Sequence, residues 1–314
     1  MIVLWGLPGD RPLAAVRNVL RRWGYSVVFL DQHAVHETDV ELSVGPTVRG
    51  TLWIRDQVVD LNTITALYPR LYDVRLLPCL KNKEPSSEAW HHALAVEDIL
   101  MSWAELTSAL VVNRPSAMAA NSSKPYQLAW IRSLGFKVPE TLMTTDPSAA
   151  LQFWRCYGTV IYKSMSGIRS IVTRLTPEDR ERLENVVWCP TQFQQYIPGI
   201  DYRVHVIGKE VFACTIVSAA DDYRYAARKG KVATIQACEL PEAIANRCKE
   251  LAIAMDLQVI GVDLRCTPDG QWYCFEVNTS PGFTYFQQAT NQPMDEAIAK
   301  LLGGHDIFPP QYYV

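Results

Sequence analysis

Three oxygen-bearing side chains, Asp263, Glu276 and Asn278, sit where such groups are normally excluded. Asp263 follows the apolar run Val259-Ile260-Gly261-Val262, and Glu276-Val277-Asn278 closes the run Trp272-Tyr273-Cys274-Phe275. Removing an unpaired carboxylate from water costs several kcal/mol, so acids inside two buried strands require a compensating cation. Two carboxylates and an amide offer hard oxygen donors that suit Mg²⁺ leaning on substrate phosphates. The plainer alternative pairs the two acids with Arg265 and its neighbours. Whether the acids meet depends on the turn between the strands. A two-residue loop at Pro268-Asp269 puts Asp263 opposite Cys274 and diagonal to Glu276, with Asn278 on the same face. A three-residue loop with Gly270 in the bulge position turns the acids apart, so a metal site needs the first register or a compensating bulge.

Upstream lie groups suited to a nucleotide. Lys163 ends the strand-like Val160-Ile161-Tyr162 and precedes a small-residue loop containing Ser166 and Gly167. An ammonium beside exposed backbone amides suits polyphosphate, although a lysine there also reads as a solvated strand end. Gln194-Gln195-Tyr196-Ile197 is an extended segment stopped by Pro198-Gly199, and its backbone suits the edge of a flat heterocycle such as adenine. Asp201, past that turn, suits ribose hydroxyls, and Arg203 shares its strand face. The two read equally well as a same-face ion pair. Arg224 and Arg228 lie in a basic loop, 223–231, between this segment and the acidic strands; a solvated charge cluster is the competing reading. His91-His92 and His205 read as a solvated helix pair and a strand residue.

These groups must be carried by regular elements. Ile2 to Trp5, a helix near Pro12 to Trp23 and Ser26 to Leu30 read as α/β layering. Gly6-Leu7-Pro8-Gly9 reads as a tight strand-to-helix turn. Gly50 to Ile54 and Gln57 to Leu61 form a hairpin around Arg55-Asp56, followed by a strand at Ala66 to Arg70, where Arg70 reads as structural in preference to a contact for substrate. Helical spacing covers Glu88 to Leu110. Asn113-Arg114-Pro115 breaks the pattern and marks a boundary near residue 112. Further helices are expected over Lys124 to Leu134 and Pro241 to Asp256.

Composition narrows the function. A net charge of -3 with no long basic block disfavours nucleic acid as a partner. The eight cysteines are scattered without a CxxC pair, the pattern of reduced thiols in a cytoplasmic protein. No apolar stretch approaches the about 18–20 residues of a membrane span, and the N-terminus lacks a basic signal region.

Lys124, Lys163, the Gln-Gln-Tyr-Ile segment, Asp201, Arg203, Asp263 and Glu276-Val277-Asn278-x-Ser280-Pro281-Gly282 occur in an order that resembles the ATP-grasp ligases. The resemblance covers about residues 113–303. Asn113-Arg114-Pro115 and Gly135-Phe136-x-Val138-Pro139-x-Thr141 are similar to the branch of ribosomal-protein glutamate ligases and the ligases that cyclise microviridin-like peptides. It implies an ATP-grasp fold of the α/β (α+β) class: an N-terminal pre-ATP-grasp domain at 1–112 for substrate recognition, a central subdomain at 113–190 and a C-terminal one with the metal site at 191–314. Lys124 and Lys163, with Ser166 and Gly167, would hold phosphates. Gln194, with Gln195, Tyr196 and Ile197, would hold adenine, and Asp201 ribose. Asp263, Glu276 and Asn278 would bind Mg²⁺, as two ions. Arg203 would face the transferred phosphate or a substrate carboxylate, as would Arg224 or Arg228. The implied reaction forms an acylphosphate from ATP and a carboxylate, which an amine or hydroxyl then attacks. The implied substrate is a peptide, including a precursor with a leader, or an amino acid. A homodimer is common in that branch, though no interface stripe is visible. Two departures stand out: one glycine in the loop after Lys163, and Gln194 where a carboxylate is common. A nucleotide-binding module without turnover would not require the whole metal set.

Overall fold

The computed structural model describes residues 1–119, 123–164, 172–218 and 233–309. Ile2, Val3, Leu4 and Trp5 are all buried, so this strand is covered on both faces, as in parallel sheets packed between layers. The first sheet is parallel, in the order Val27–Asp31, Ile2–Gly6, Ala66–Arg70, Leu110–Val111. The helix Arg11–Arg22 starts at Asp10, whose carboxylate accepts from Leu13 N at 2.8 Å, and buries Leu13, Val16, Val19 and Leu20 along one stripe.

The helix expected to reach Leu110 spans Glu88–Leu106. The next residues are needed to finish the sheet: Leu110 N donates to Thr65 O and Val112 N to Leu67 O. Arg114 satisfies the helix's final carbonyls, donating to Glu105 O at 3.1 Å and Thr107 O at 2.9 Å. The hairpin around Arg55-Asp56 is present, pairing Val48–Ile54 with Gln57–Asp60. A third strand, Thr38–Val44, which the sequence analysis did not foresee, pairs with Val48–Ile54.

The remaining chain builds two antiparallel sheets. One has the order Thr173–Arg174, Val160–Ser164, Thr191–Gln195, Thr141–Thr144. The other has the order Ala233–Cys238, Glu210–Ser218, Ile200–Ile207, Val259–Cys266, Trp272–Asn278. Strand alternation divides this five-stranded sheet into two functions. Val204, Val206, Ile260, Val262 and Leu264 pack against the helices Lys124–Ser133 and Glu242–Ala254, through Ile131, Ile244 and Leu251 among others. Their odd-numbered neighbours, including Asp201, Arg203 and Asp263, therefore turn to the other side.

Buried side-chain amides tie these layers together. Asn113 donates to Val259 O (2.6 Å) and Thr279 O (2.8 Å), and its oxygen accepts from Gln258 N (2.7 Å) and Val259 N (3.1 Å). Gln127, on the helix Lys124–Ser133, donates to Val277 O at 2.5 Å and accepts from Val277 N at 3.0 Å. That pair covers part of the edge strand as a neighbouring backbone would. Gln258 does the same for Phe308, at 3.0 and 2.9 Å.

Asn113→Ala leaves buried donors and acceptors without partners, each costing about 1–3 kcal/mol. The variant is expected to lose at least about 3 kcal/mol in a urea titration, with the loss concentrated at the junction of the first and five-stranded sheets.

Candidate active site

The turn between the acidic strands closes through Thr267 and Gln271, with Gly270 at φ 78°, so the loop is the three-residue form Pro268-Asp269-Gly270. In a regular ladder that loop sets Asp263 opposite Phe275. The ladder shifts instead: Leu264 pairs with Cys274, but Asp263 pairs with Glu276 and Gly261 with Asn278. Phe275 is the extra residue of a β-bulge. The bulge lets Cys274 and Val277, three residues apart, both pack against the helices, while Glu276 and Asn278 join Asp263 on the opposite face.

Two crossed ion pairs occupy that face. Arg203 stands opposite Asp263, with Nη1–Oδ1 at 2.7 Å. Asp201 stands opposite Arg265, which grips it through Nε at 2.6 Å and Nη2 at 2.9 Å and also donates to Ile197 O at 2.7 Å. The alternative in which Asp201 and Arg203 pair with each other is not realised: each finds a partner directly across the ladder. Arg203 is 5% exposed, and its charge is compensated by Asp263. Its guanidinium occupies the space that a Cβ at Gly261 would fill, which explains the glycine opposite Asn278.

A cleft lies between the two antiparallel sheets. Its apolar walls include Ile161, Val172, Ile216 and Phe275; its polar lining includes Lys163, Gln194, Asp201, Asp263 and Glu276. The structure thus brings together residues expected at four separate stations of the sequence. A more voluminous groove beside Tyr126 and Trp130 has, among the described residues, no comparable cluster of charged side chains. Gln195 alternates with Gln194 and does not line the cleft, and the Ile197 side chain is buried, so only their backbones can serve a ligand there. Gln195 N and Tyr196 N are already committed to Glu140 O and Thr159 O. Among the described residues the Tyr196 carbonyl and the Ile197 N–H have no backbone partner outside regular elements. The Gln194 amide nitrogen donates to Thr141 Oγ1 at 3.0 Å.

Ser166, Gly167, Arg224 and Arg228 lie outside the described residues, as does the side chain of Lys124, whose backbone opens a helix. Two cleft residues escaped the sequence analysis in their present roles. Phe275 enters through the bulge, and Arg265 stacks over Phe275 (5.2 Å) and Tyr196 (5.7 Å) while clamping Asp201. An arginine two residues past Asp263, and so on its face, was the available signal for the second; nothing local signals the first.

The donor set fits a hard divalent ion. Among the described residues no three His, Cys, Asp or Glu side chains gather at one place, so Asp263, Glu276 and Asn278 would be completed by phosphate oxygens and water. Burial pushes the thiol of Cys214, opposite Arg203 on the neighbouring strand, up to about 12.

A model of the RimK-like ATP-grasp domain matches residues 121–302, which span the cleft and both strands of the acidic hairpin. The chain belongs to the RimK-like ATP-grasp family. It is an ATP-grasp ligase, and ligases of this family use ATP and Mg²⁺. It is similar to the coenzyme gamma-F420-2:alpha-L-glutamate ligase of Methanococcus maripaludis, 26% identical over 203 residues that cover 58% of this chain and 67% of the relative. Among solved structures it is similar to a RiPP-associated ATP-grasp ligase of Chryseobacterium gregarium in complex with ADP and a leader and core peptide (TM-score 0.82, 21% identity, 98% of this chain and 97% of the other). It is also similar to the ATP-grasp ligase PsnB complexed with a phosphomimetic variant of a minimal precursor, Mg and ADP (TM-score 0.78, 26% identity, 96% and 97%). No helix among the described residues of this ligase is long and apolar enough to cross a membrane.

His205 lies behind Arg203 in this ligase, with Arg203 Nε and His205 Nε2 3.5 Å apart. Burial, reinforced by the Arg203 charge, holds its pKa well below the ordinary histidine value. The folded state keeps the ring neutral while the unfolded chain takes up a proton, so acid favours unfolding below about pH 6.5. Lowering the pH from about 7.5 to about 5.5 is expected to cost about 1 kcal/mol through this group, a loss absent from His205→Gln when the two unfolding curves are compared.

Proposed function

We propose that this ligase modifies a peptide, joining an acidic side chain to a hydroxyl or amine of the same ribosomally made chain as a lactone or lactam. One observation carries the reading. The likeness to ATP-grasp ligases complexed with precursor peptides runs over nearly the whole chain, 96% for PsnB, and so takes in the N-terminal sheet. Over the same span the likeness to D-alanyl-alanine synthetase A of Vibrio cholerae is weaker, with a TM-score of 0.64 at 14% identity against 0.78 and 26% for PsnB. A domain at 1–112 that receives the peptide, ahead of nucleotide-holding subdomains at 113–190 and 191–314, agrees with the likeness to PsnB.

The residues divide the work. Ile161, Val172 and Phe275 wall an adenine ring, with Gln194, the Tyr196 carbonyl and the Ile197 N–H along its edge. Asp201, held by Arg265, accepts from the ribose hydroxyls. Lys163 and Lys124, with the Ser166-Gly167 backbone, hold phosphates. Mg²⁺ held by Asp263, Glu276 and Asn278, as two ions, would supply charge neutralisation on the bridging phosphate oxygens. A substrate carboxylate oxygen attacks the γ-phosphorus and ADP leaves with the bond electrons. The hydroxyl or amine then attacks the acyl carbon, loses its proton and expels phosphate, which carries away one carboxylate oxygen. Each bond therefore removes the elements of water from the peptide. Arg203 shields the developing phosphate charge, and Arg224 or Arg228 serves the same charge. Eight cysteines, all free, suit a reducing cytoplasm, and a homodimer would be consistent with the related branch.

A second reading, addition of free glutamate or another amino acid, draws on the glutamate-ligase relative. Purified protein with Mg²⁺-ATP separates the two. Peptide-dependent ADP release with a mass loss of about 18 Da per bond is expected from a precursor encoded beside the gene; turnover with amino acids alone supports the second reading. Glu276→Ala is expected to lower turnover by at least about 100-fold while remaining folded, because an oxygen ligand is lost. A folded variant with wild-type turnover removes the metal assignment.

A further inference from the structure

Arg70 stands at the end of the strand Ala66–Arg70 in the first sheet, and the mechanism above gives it no task. It is nearly buried, its side chain 11% exposed, and its donors are aimed at two distant parts of the chain. Nε binds Asp10 Oδ1 at 3.0 Å, the same carboxylate oxygen that caps the helix Arg11–Arg22. Nη1 binds Ser280 Oγ at 3.0 Å and Pro281 O at 3.1 Å, 210 and 211 residues further on.

That turn is not a remote surface. Ser280 N donates to Asn278 Oδ1 at 2.9 Å, which fixes the amide of the third proposed metal ligand so that its oxygen lies toward the turn. Pro281 Cβ and the Arg203 guanidinium press on the same small volume beside Gly261. Holding Ser280-Pro281 therefore constrains Asn278 on one side and Arg203 on the other. An arginine suits the task because its planar fork can serve several acceptors in fixed directions, which a lysine cannot.

Resting on the metal assignment above, we infer that Arg70 is a positioning residue for ligation: it clamps the Ser280-Pro281 turn to the N-terminal sheet and thereby sets the Asn278 ligand. The geometry of the ligand is referred to the layer that precedes the ATP-binding sheets, not to the five-stranded sheet alone.

The test reads metal affinity directly. Mn²⁺ is titrated into the full-length protein with ADP present, and free Mn²⁺ is followed by electron paramagnetic resonance for wild type, Arg70→Met, Ser280→Ala and Glu276→Ala, with Tm recorded for each. Arg70→Met and Ser280→Ala are expected to weaken Mn²⁺ binding by about tenfold or more, because the turn whose Ser280 N–H holds Asn278 Oδ1 loses its tie to Arg70. A purely structural arginine would lower Tm and leave the affinity of the folded protein unchanged. If Arg70→Met does not fold, Ser280→Ala, which deletes one hydroxyl, decides the question. Wild-type affinity in the folded Arg70 and Ser280 variants, with loss in Glu276→Ala, overturns the inference alone. Wild-type affinity in Glu276→Ala as well overturns the metal assignment and this inference with it.

Discussion

The arrangement depends on one requirement: carboxylates placed inside a sheet must face cations, and they must all face the same way. Asp263 meets Arg203 at 2.7 Å and Asp201 meets Arg265 at 2.6 Å, both across adjacent strands. These contacts hold the charged face together before any ligand adds its own charge. The opposite face packs its central apolar residues against the helices, so a strand shifted by one residue would bury charge against Ile131 and Leu251. Burial on one side thus enforces the register that the chemistry uses on the other.

The amide side chains extend this register beyond the sheet. Gln127 fastens the helix that begins at Lys124 to the backbone of Val277, between Glu276 and Asn278. Lys163 belongs to the other antiparallel sheet, in the strand Val160–Ser164. Of the two lysines assigned to phosphates, one therefore sits on a helix fastened to the five-stranded sheet and the other in a strand of the four-stranded antiparallel sheet. Any movement of one sheet over the other changes their separation, while Lys124 keeps its relation to the acidic strand.

Much of this was legible in the sequence, for reasons that are local. Apolar runs interrupted by an acid, a strand-ending lysine and a Pro-Gly stop each carry their meaning within a few residues. Lys163, Gln194, Asp201, Asp263 and Glu276 accordingly converge on one cleft. The parts that were not legible depend on distant partners. Phe275 bulges because Cys274 and Val277 must both reach the helix layer. Asp201 and Arg203 look like a pair along the strand but prefer partners 64 and 60 residues away. The helix ending at Leu106 stops because the sheet claims Leu110 and Val111, and the strand Thr38–Val44 shows itself only beside Val48–Ile54.

The bulge also bears on how such a hairpin can change length. Between Asp263 and Glu276 the ladder holds a three-residue loop and one extra residue, Phe275, both departures from a regular hairpin. Loss of Phe275 would let the ladder close regularly with the two acids still opposed, at the expense of an aromatic wall of the cleft. Loss of one loop residue would give the two-residue turn and leave the bulge to keep the acids opposed. The separation of the acids in sequence is thus free to vary by a residue while their opposition in space persists, and the interval between them is a poor guide for recognising this hairpin in other chains.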